Sequence, residues 1–488
     1  MAIKEDLIGI LGKDRVSDAP QELAEYAEDE SFVHPISPGC IVRPESAEEI
    51  QKIVRWANET LTPLVPVSSG PPHFRGDTVP ATGGAVILDL RGMKKIIRLD
   101  PEHRIAMVEP GVTFSELIPA AKKAGLRLNL PLLPRASKSV VGSLLEREPV
   151  IMPRYHWDIS DPLACTEVIY GNGDIFKTGS AAGPGSLEEQ WRTGAAQNEA
   201  AGPIQADFLR LIQGAQGTMG IVTWASIRCE HAPLIEEPYL VGSSRPDNLL
   251  EFVHWLIRNR MADDCLLLND TDLASILTHN WAAEYANIKN TLPPWVLFFS
   301  MSGLKYFPEE QIQYLRADMA AIAQSIMLEP ARAIGRASAF DLLKIFHAPA
   351  GEPYWKMNPR GSCHDIFFIA DYDKVSKLIG VVNDVAVKFA YPAADMGIYI
   401  QPIVQGVNYH CEFSLFFNPA NPAEKDRIAR LSEAAFGALS GQGAFFSRPY
   451  YPWTDMAYRG DAGTTIALRK VKNIFDPNHI LNPGKLCF

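Results

Sequence analysis

The sequence predicts an α+β chain of more than one domain, on three observations: its size, a first half that alternates strand and helix patterns, and a middle third of long strand runs among amphipathic helices. At 488 residues it exceeds the size at which a single hydrophobic core usually stops growing. A hydrophobic share of 47% with 21% charged residues is that of an ordinary globular protein, so the chain is expected to fold.

The elements follow in order. Ser46 and Glu49 form a capping-box pattern, and Ile50, Ile53, Val54 and Ala57 recur at helical spacing behind it. An apolar run through Leu64, Val65 and Val67 leads into the irregular segment SSGPPHFRGDTVPATGG and then a strand-like AVILDL. Arg104 to Glu109 reads as a short strand, after which Thr113 and Glu116 cap a helix that ends at Gly125. In TEVIYGNGDIFKTG, Asn172-Gly173 predicts a two-residue hairpin turn. The segment LIQGAQGTMGIVTWASIRC reads as a helix end, a glycine-spaced loop and a strand, and composition shifts near His231. Beyond it, DNLLEFVHWLIRNRM is helical in pattern, whereas IYIQPIV and CEFSLFF are strand-like. The tail from Gly463 predicts a helix, a turn at Asp476-Pro477-Asn478 and the ending ILNPGKLCF.

Charge and cysteine usage exclude several classes. The net charge is −11 with no Lys/Arg-rich run, so the footprint of a nucleic-acid binder is missing. Lys4, Glu5, Asp6 and Lys13 interrupt the apolar positions at the start, and no later segment reaches ~18 uninterrupted apolar residues, which predicts a cytoplasmic protein. The seven cysteines are scattered without CxxC pairs, which predicts buried free thiols and no metal centre. There is no Walker loop, HExxH, GxSxG elbow or GxGxxG opening a helix.

What remains is the loop from Pro66 to Pro80, whose small residues allow backbone N–H groups to approach a pyrophosphate. Alone that signal is weak; the order of segments gives it weight. PVSSGPPHFRGDTVP is followed by AVILDLRGMKKI, RIAMVEPGVTFSEL, SKSVVGSLLERE, LACTEVIYGNGDIFKTG, GAQGTMGIVT and FDPNHILNPGKL. In this order the chain resembles the vanillyl-alcohol oxidase and p-cresol methylhydroxylase superfamily, and its 4-phenol-oxidising group most.

The resemblance implies a PCMH-type FAD-binding domain with an interposed antiparallel-sheet substrate domain. The expected boundaries are 1–234 and 448–488 for the FAD domain and 235–447 for the cap. It implies FAD as cofactor, with the diphosphate on Pro66, Val67, Ser68, Ser69, Gly70, Pro71, Pro72, His73 and Phe74. Further cofactor contacts are implied at Ser139, Gly142 and Ser143, at Gly217, Gly220, Ile221 and Val222, and at Asn482 and Lys485.

For the chemistry, PRYHWDISDP resembles the stretch holding an aspartate near the flavin, which points to Asp158, with His156 as competitor. A base there would take a hydroxyl proton and so build the electron density that expels hydride. GQGAFFSRPYYPW sits where relatives bind phenolate, and Arg448 is the expected cation; Phe74 and either Phe445 or Phe446 stand in place of two phenolate-binding family tyrosines, so either the substrate is not a para-alkylphenol or Tyr450 and Tyr451 substitute. His410 falls where related 2-hydroxy-acid dehydrogenases carry a metal-binding histidine, but their companion residues are missing, so it is expected in the pocket. The stretch GSCHDIFFIADYDKVSKL resembles the one carrying a flavin-linking histidine, with His364 one place from the linking position and Asp365 on it.

The expected activity is hydride abstraction from an aromatic alcohol or para-substituted phenol-like compound. A D-lactate/glycolate-type dehydrogenase is the alternative, and an electron-carrying or scaffolding flavoprotein subunit is the alternative of another class. Expected partners are a small-molecule substrate, a cytochrome c or iron–sulfur electron-acceptor subunit, and a second copy in a homodimer.

Overall fold

The structure, a computed structural model, describes residues 2–154, 161–203 and 207–488. Three sheets organise it. The first sets Cys40–Val42, Val86–Asp89 and Leu64–Val67 side by side in parallel, with Val16–Ser17 antiparallel at the edge. The helix Ala47–Thr60 makes the crossover between two of these strands, and the Ser46 hydroxyl accepts the Glu49 N–H at its start. Ile50, Ile53, Val54 and Ala57 are fully buried against the sheet, as their spacing requires.

The second sheet is antiparallel, in the order Ile96–Asp100, Ile105–Val108, Gly220–His231, Leu163–Tyr170, Ile175–Lys177. Its hairpin corrects the two-residue turn. Tyr170 donates its N–H to Asp174, so the loop holds three residues and closes on Gly173 at φ 86°. The cause is tertiary: Gly171 sits so close against Asp476 that a Cβ would fall 2.4 Å from its side chain, and Asn172 donates to the Phe475 carbonyl. The docked C-terminal tail therefore sets the turn.

The third sheet is also antiparallel, in the order Ile235–Ser243, Trp295–Gly303, Cys265–Asn269, Gly397–Ile403, Asn408–Phe417, Ser362–Asp371. The helices Pro246–Arg258, Pro308–Ser325, Val375–Lys388 and Pro422–Ser440 cover one of its faces and bury the largest apolar cluster. The other face carries a smaller cluster and the polar residues described below. All seven cysteines are free, and six are buried. Among the described residues no helix is long and apolar enough to cross a membrane.

A charged joint ties the second sheet to the third. Arg127, on the short strand Leu126–Leu128, donates to Asp264 at 2.5 Å, and Asp264 also takes bonds from Ser300 at 2.8 Å and pairs with His347 at 2.9 Å. Burial alone would raise the Asp264 carboxyl, but Arg127 and these hydrogen bonds outweigh it and hold the group well below the ordinary aspartate range. A depressed carboxylate stabilises the fold above its unfolded pKa and loses that contribution as pH falls through the folded value. Asp264→Asn is therefore expected to cost about 1.5–3 kcal/mol at neutral pH. The difference from wild type should shrink as the solution is taken below about pH 4. Chemical denaturation across that range measures it; a gap that stays constant would remove Asp264 from the acid response.

Candidate active site

A long cleft, with about 1690 Å³ of free space including its mouth, runs between the loop after Leu64–Val67, the segment 131–149, the start of strand Gly220–His231 and the polar face of the third sheet. Its floor is backbone held by backbone carbonyls and serine hydroxyls. Gly70 donates to the Ser137 carbonyl at 3.1 Å, Ser139 N–H donates to Ser69 Oγ at 3.1 Å, and Gly142 N–H donates to Ser139 Oγ at 2.8 Å. A Cβ on Gly142 would meet Ser68 Oγ at 3.0 Å, so two loops approach here as closely as glycine allows.

Of the residues expected to hold the cofactor, Pro66, Val67, Ser68, Ser69, His73, Phe74, Gly142, Gly217, Gly220, Ile221 and Val222 line the cleft. Gly70, Pro71, Pro72, Ser139, Ser143, Asn482 and Lys485 are not in the lining. Where their polar groups are bonded, the partners are protein. Ser139 Oγ donates to the Pro110 carbonyl at 2.6 Å, and Ser143 Oγ donates to Glu148 at 2.5 Å. Asn482 donates to the carbonyls of Asp77 and Gln216 at 2.8 and 2.7 Å, and Lys485 to that of Gly76 at 2.7 Å. They brace the wall from behind.

Gly217 shows how tight that wall is. It sits at φ +71°, and a Cβ would lie 2.7 Å from Pro66 Cγ. Gly217→Ala is expected to cost about 1–3 kcal/mol through the left-handed backbone alone. It would also push Pro66 into the cleft, so the variant should lose FAD on gel filtration under conditions in which wild type keeps it; full retention would show that the wall yields.

The expected reaction residues are distributed unevenly. Asp158 and His156 lie outside the described residues. Arg448 lines the cleft, 95% buried, with its guanidinium 4.3 Å from the centre of the Phe367 ring. Among the described residues it makes no hydrogen bond and no ion pair within 4 Å, although its charge helps to lower the carboxyl of Glu148 in the same lining. Tyr450 and His410 are buried beside the cleft rather than in its lining; His410 Nε2 pairs with Glu412 at 3.2 Å. His364 points to the helix-covered face, where its Nε2 pairs with Ser432 Oγ at 2.8 Å, while its neighbours Cys363 and Asp365 face the cleft. Strand alternation thus turns His364 away, and a bond from its ring to a group in the cleft is not available in this arrangement. Phe446 packs against Phe436 and Trp453 and Phe445 is exposed, so neither stands in the lining where a tyrosine was expected.

Several charged groups escaped the sequence reading. Arg75 reaches from the first loop to Asp365 at 3.3 Å and stacks over Phe367 at 4.7 Å. Lys356 Nζ bridges Asp365 at 2.7 Å and Glu412 at 2.5 Å. Lys138 bonds Glu146 at 2.6 Å and lies 3.4 Å from Glu148, and burial pushes the Glu146 carboxyl up. Burial, helped by the Arg135 charge, lowers His73 to about 3, so its ring is neutral. The polar stripe His410, Glu412, Ser414 at period two in an apolar strand was a readable signal; Lys356, in an irregular loop, offered none.

A backbone-walled cleft with a buried guanidinium that has no ion-pair partner among the described residues suits a dinucleotide whose phosphates and ring carry negative charge, as in a flavoprotein oxidoreductase. The comparisons agree. Residues 38–179 match the family model described as FAD binding domain, and residues 451–486 match FAD linked oxidases, C-terminal domain. The chain is 24% identical to the glycolate oxidase subunit GlcD of Bacillus subtilis, with 99% of this chain and 96% of that one aligned. It is 28% identical to the 4-cresol dehydrogenase [hydroxylating] flavoprotein subunit of Pseudomonas putida, over 58% of this chain and 53% of that one. The fold superposes on p-cresol methylhydroxylase with substrate bound at a TM-score of 0.86 and 20% identity, covering 100% and 96% of the two chains. For 4-ethylphenol oxidase from Gulosibacter chungangensis the values are 0.84 and 18%, covering 99% and 96%. The chain carries an FAD binding domain and an FAD linked oxidase C-terminal domain on a p-cresol methylhydroxylase-like fold; it is an FAD-linked oxidoreductase, and FAD is its cofactor.

Proposed function

We propose that this enzyme oxidises an aromatic alcohol or para-substituted phenol-like compound, binding FAD along the floor of the cleft and substrate between that floor and the third sheet. The reading rests above all on Arg448. A buried guanidinium stacked on Phe367, with no carboxylate within ion-pair distance among the described residues, is costly unless an anion arrives, because its desolvation is otherwise only weakly compensated. A substrate phenolate or carboxylate, or the negative charge of the reduced cofactor ring, supplies that anion. The aromatic residues Phe74, Tyr354, Trp355 and Tyr399 in the lining favour a ring-bearing substrate.

FAD when bound supplies the hydride acceptor. The chain's residues do the rest. The loop Pro66–Phe74 and Gly142 hold the phosphates, Gly217 to Val222 close the wall, and Arg448 fixes the anionic end. Asp158 or His156 remains the assigned proton acceptor. Reoxidation is assigned to oxygen or to a cytochrome c or iron–sulfur partner; the 4-cresol relative is by its name a flavoprotein subunit.

A 2-hydroxy-acid substrate is the second reading, favoured by the end-to-end match to the glycolate oxidase subunit and by the same free Arg448. No cluster of three potential metal ligands occurs among the described residues, and His410 already pairs with Glu412. Anaerobic mixing with benzylic alcohols, D-lactate or glycolate separates the two. Bleaching of the flavin by benzylic alcohols alone is expected; bleaching by the hydroxy acids alone would replace the first reading with the second.

A further inference from the structure

We propose that Lys356 is the substrate-oxygen receptor of this enzyme, donating one N–H from the loop before strand Ser362–Asp371 to the carbonyl or hydroxyl oxygen of the bound substrate; this rests on the reading of the cleft as a site for an oxygenated aromatic compound. Lys356 lines the cleft and is 6% exposed. An ammonium has three donors. One goes to Asp365 Oδ1 and one to Glu412 Oε1, and the third has no partner among the described residues.

The two carboxylates fix more than position. Asp365 is itself held by Arg75, with longer bonds from Cys363 and Ser414 at 3.4 Å, and Glu412 pairs with His410, so the ammonium sits at the centre of a chain in which each carboxylate also has another partner. Within that chain Arg75 and Lys356 balance Asp365 and Glu412, which leaves the spare N–H as a donor without a surplus of charge. Burial opposes the lysine charge, but Asp365 and Glu412 overcome it and raise the pKa well above the ordinary value. The group is therefore a permanent donor and not a proton acceptor. It differs in this from Arg448, which has no ion pair within 4 Å among the described residues and suits an anion.

The chemistry this selects is a neutral oxygen acceptor. An ammonium hydrogen bond polarises a carbonyl and stabilises the alkoxide form of the corresponding alcohol, so the same contact serves substrate and product. Tyr399, in the cleft lining with Lys356, has its hydroxyl proton committed to Gln401 at 2.8 Å, so it does not compete with the lysine as a donor.

The test uses a carbonyl-labelled neutral aldehyde, 4-methoxybenzaldehyde, bound to the FAD-loaded enzyme and followed by isotope-edited infrared spectroscopy. In wild type the carbonyl stretch is expected to move to lower frequency on saturable binding. The paired change Lys356→Met with Glu412→Gln removes one charge of each sign; it is expected to abolish the shift and weaken binding about tenfold or more, the loss of one charge-assisted bond. Glu412→Gln alone keeps the ammonium and is expected to keep the shift. An undiminished shift in the paired variant, or no shift in wild type, overturns the assignment. Flavin bleaching by benzylic alcohols is read separately, so failure of the receptor and failure of the substrate reading are distinct results. If the paired variant does not retain FAD, a crystal structure of wild-type holoenzyme with the aldehyde decides. Oxygen within about 3 Å of Lys356 Nζ supports the receptor, and oxygen bonded elsewhere ends it.

Discussion

Arg448→Met is expected to slow anaerobic flavin reduction about a hundred- to a thousandfold while leaving FAD content unchanged. Methionine keeps much of the volume over Phe367 but removes the charge, so packing in the cleft changes little. The anion that forms during the reaction then meets an apolar side chain in a water-poor site, where lost electrostatic stabilisation is largest. Arg448→Lys should recover only part of the rate, because an ammonium cannot reproduce the planar, two-pronged contact. Rapid mixing with the substrate found above provides the measurement. A reduction rate within threefold of wild type would show that Arg448 compensates charge for the fold alone.

Lys472→Met is expected to lower stability by about 3–5 kcal/mol, read as a fall in the denaturant midpoint. Lys472 is wholly buried, on the helix Ala462–Phe475. Its Nζ donates to Asp476 at 2.5 Å, to the Leu481 carbonyl at 3.0 Å and to the Thr218 carbonyl. Asp476 in turn accepts the N–H groups of Ile480 and Leu481 at 3.0 and 2.9 Å. Without the ammonium, a buried carboxylate and two carbonyls lose their donor. The tail they shape pairs Leu481 with Leu64 and braces Asp77 and Gln216 through Asn482, so FAD retention should fall with stability. A variant with unchanged midpoint and full FAD retention would refute the role.

Local chemistry made much of the fold legible. The helix after Ser46 and the one capped by Thr113 and Glu116 were readable because cap and apolar stripe are encoded within a few residues. Strands such as Gly397–Ile403 and Asn408–Phe417 announced themselves by long β-branched and aromatic runs. The hairpin at Asn172 was misread by one residue because its length answers to Asp476, some three hundred positions away. In the cleft lining, the first loop and the GTMGIV segment were pointed to by the order of segments that carries the family resemblance, whereas Lys356, Arg75 and Glu412 were not.

By itself the sequence determined the class: the order of segments, the small-residue loop after Leu64–Val67 and the ILNPGK ending sufficed for an α+β FAD-linked oxidoreductase. Only the tertiary structure decided which side chains face the reaction space. It turned His364 behind the sheet and brought Arg75, Lys356, Asp365 and Glu412 together from four separate segments. The reason is physical: helices and turns are fixed by neighbours in the chain, but a buried charge is tolerable only beside its counter-charge, and those partners meet only when the sheets close over the cleft.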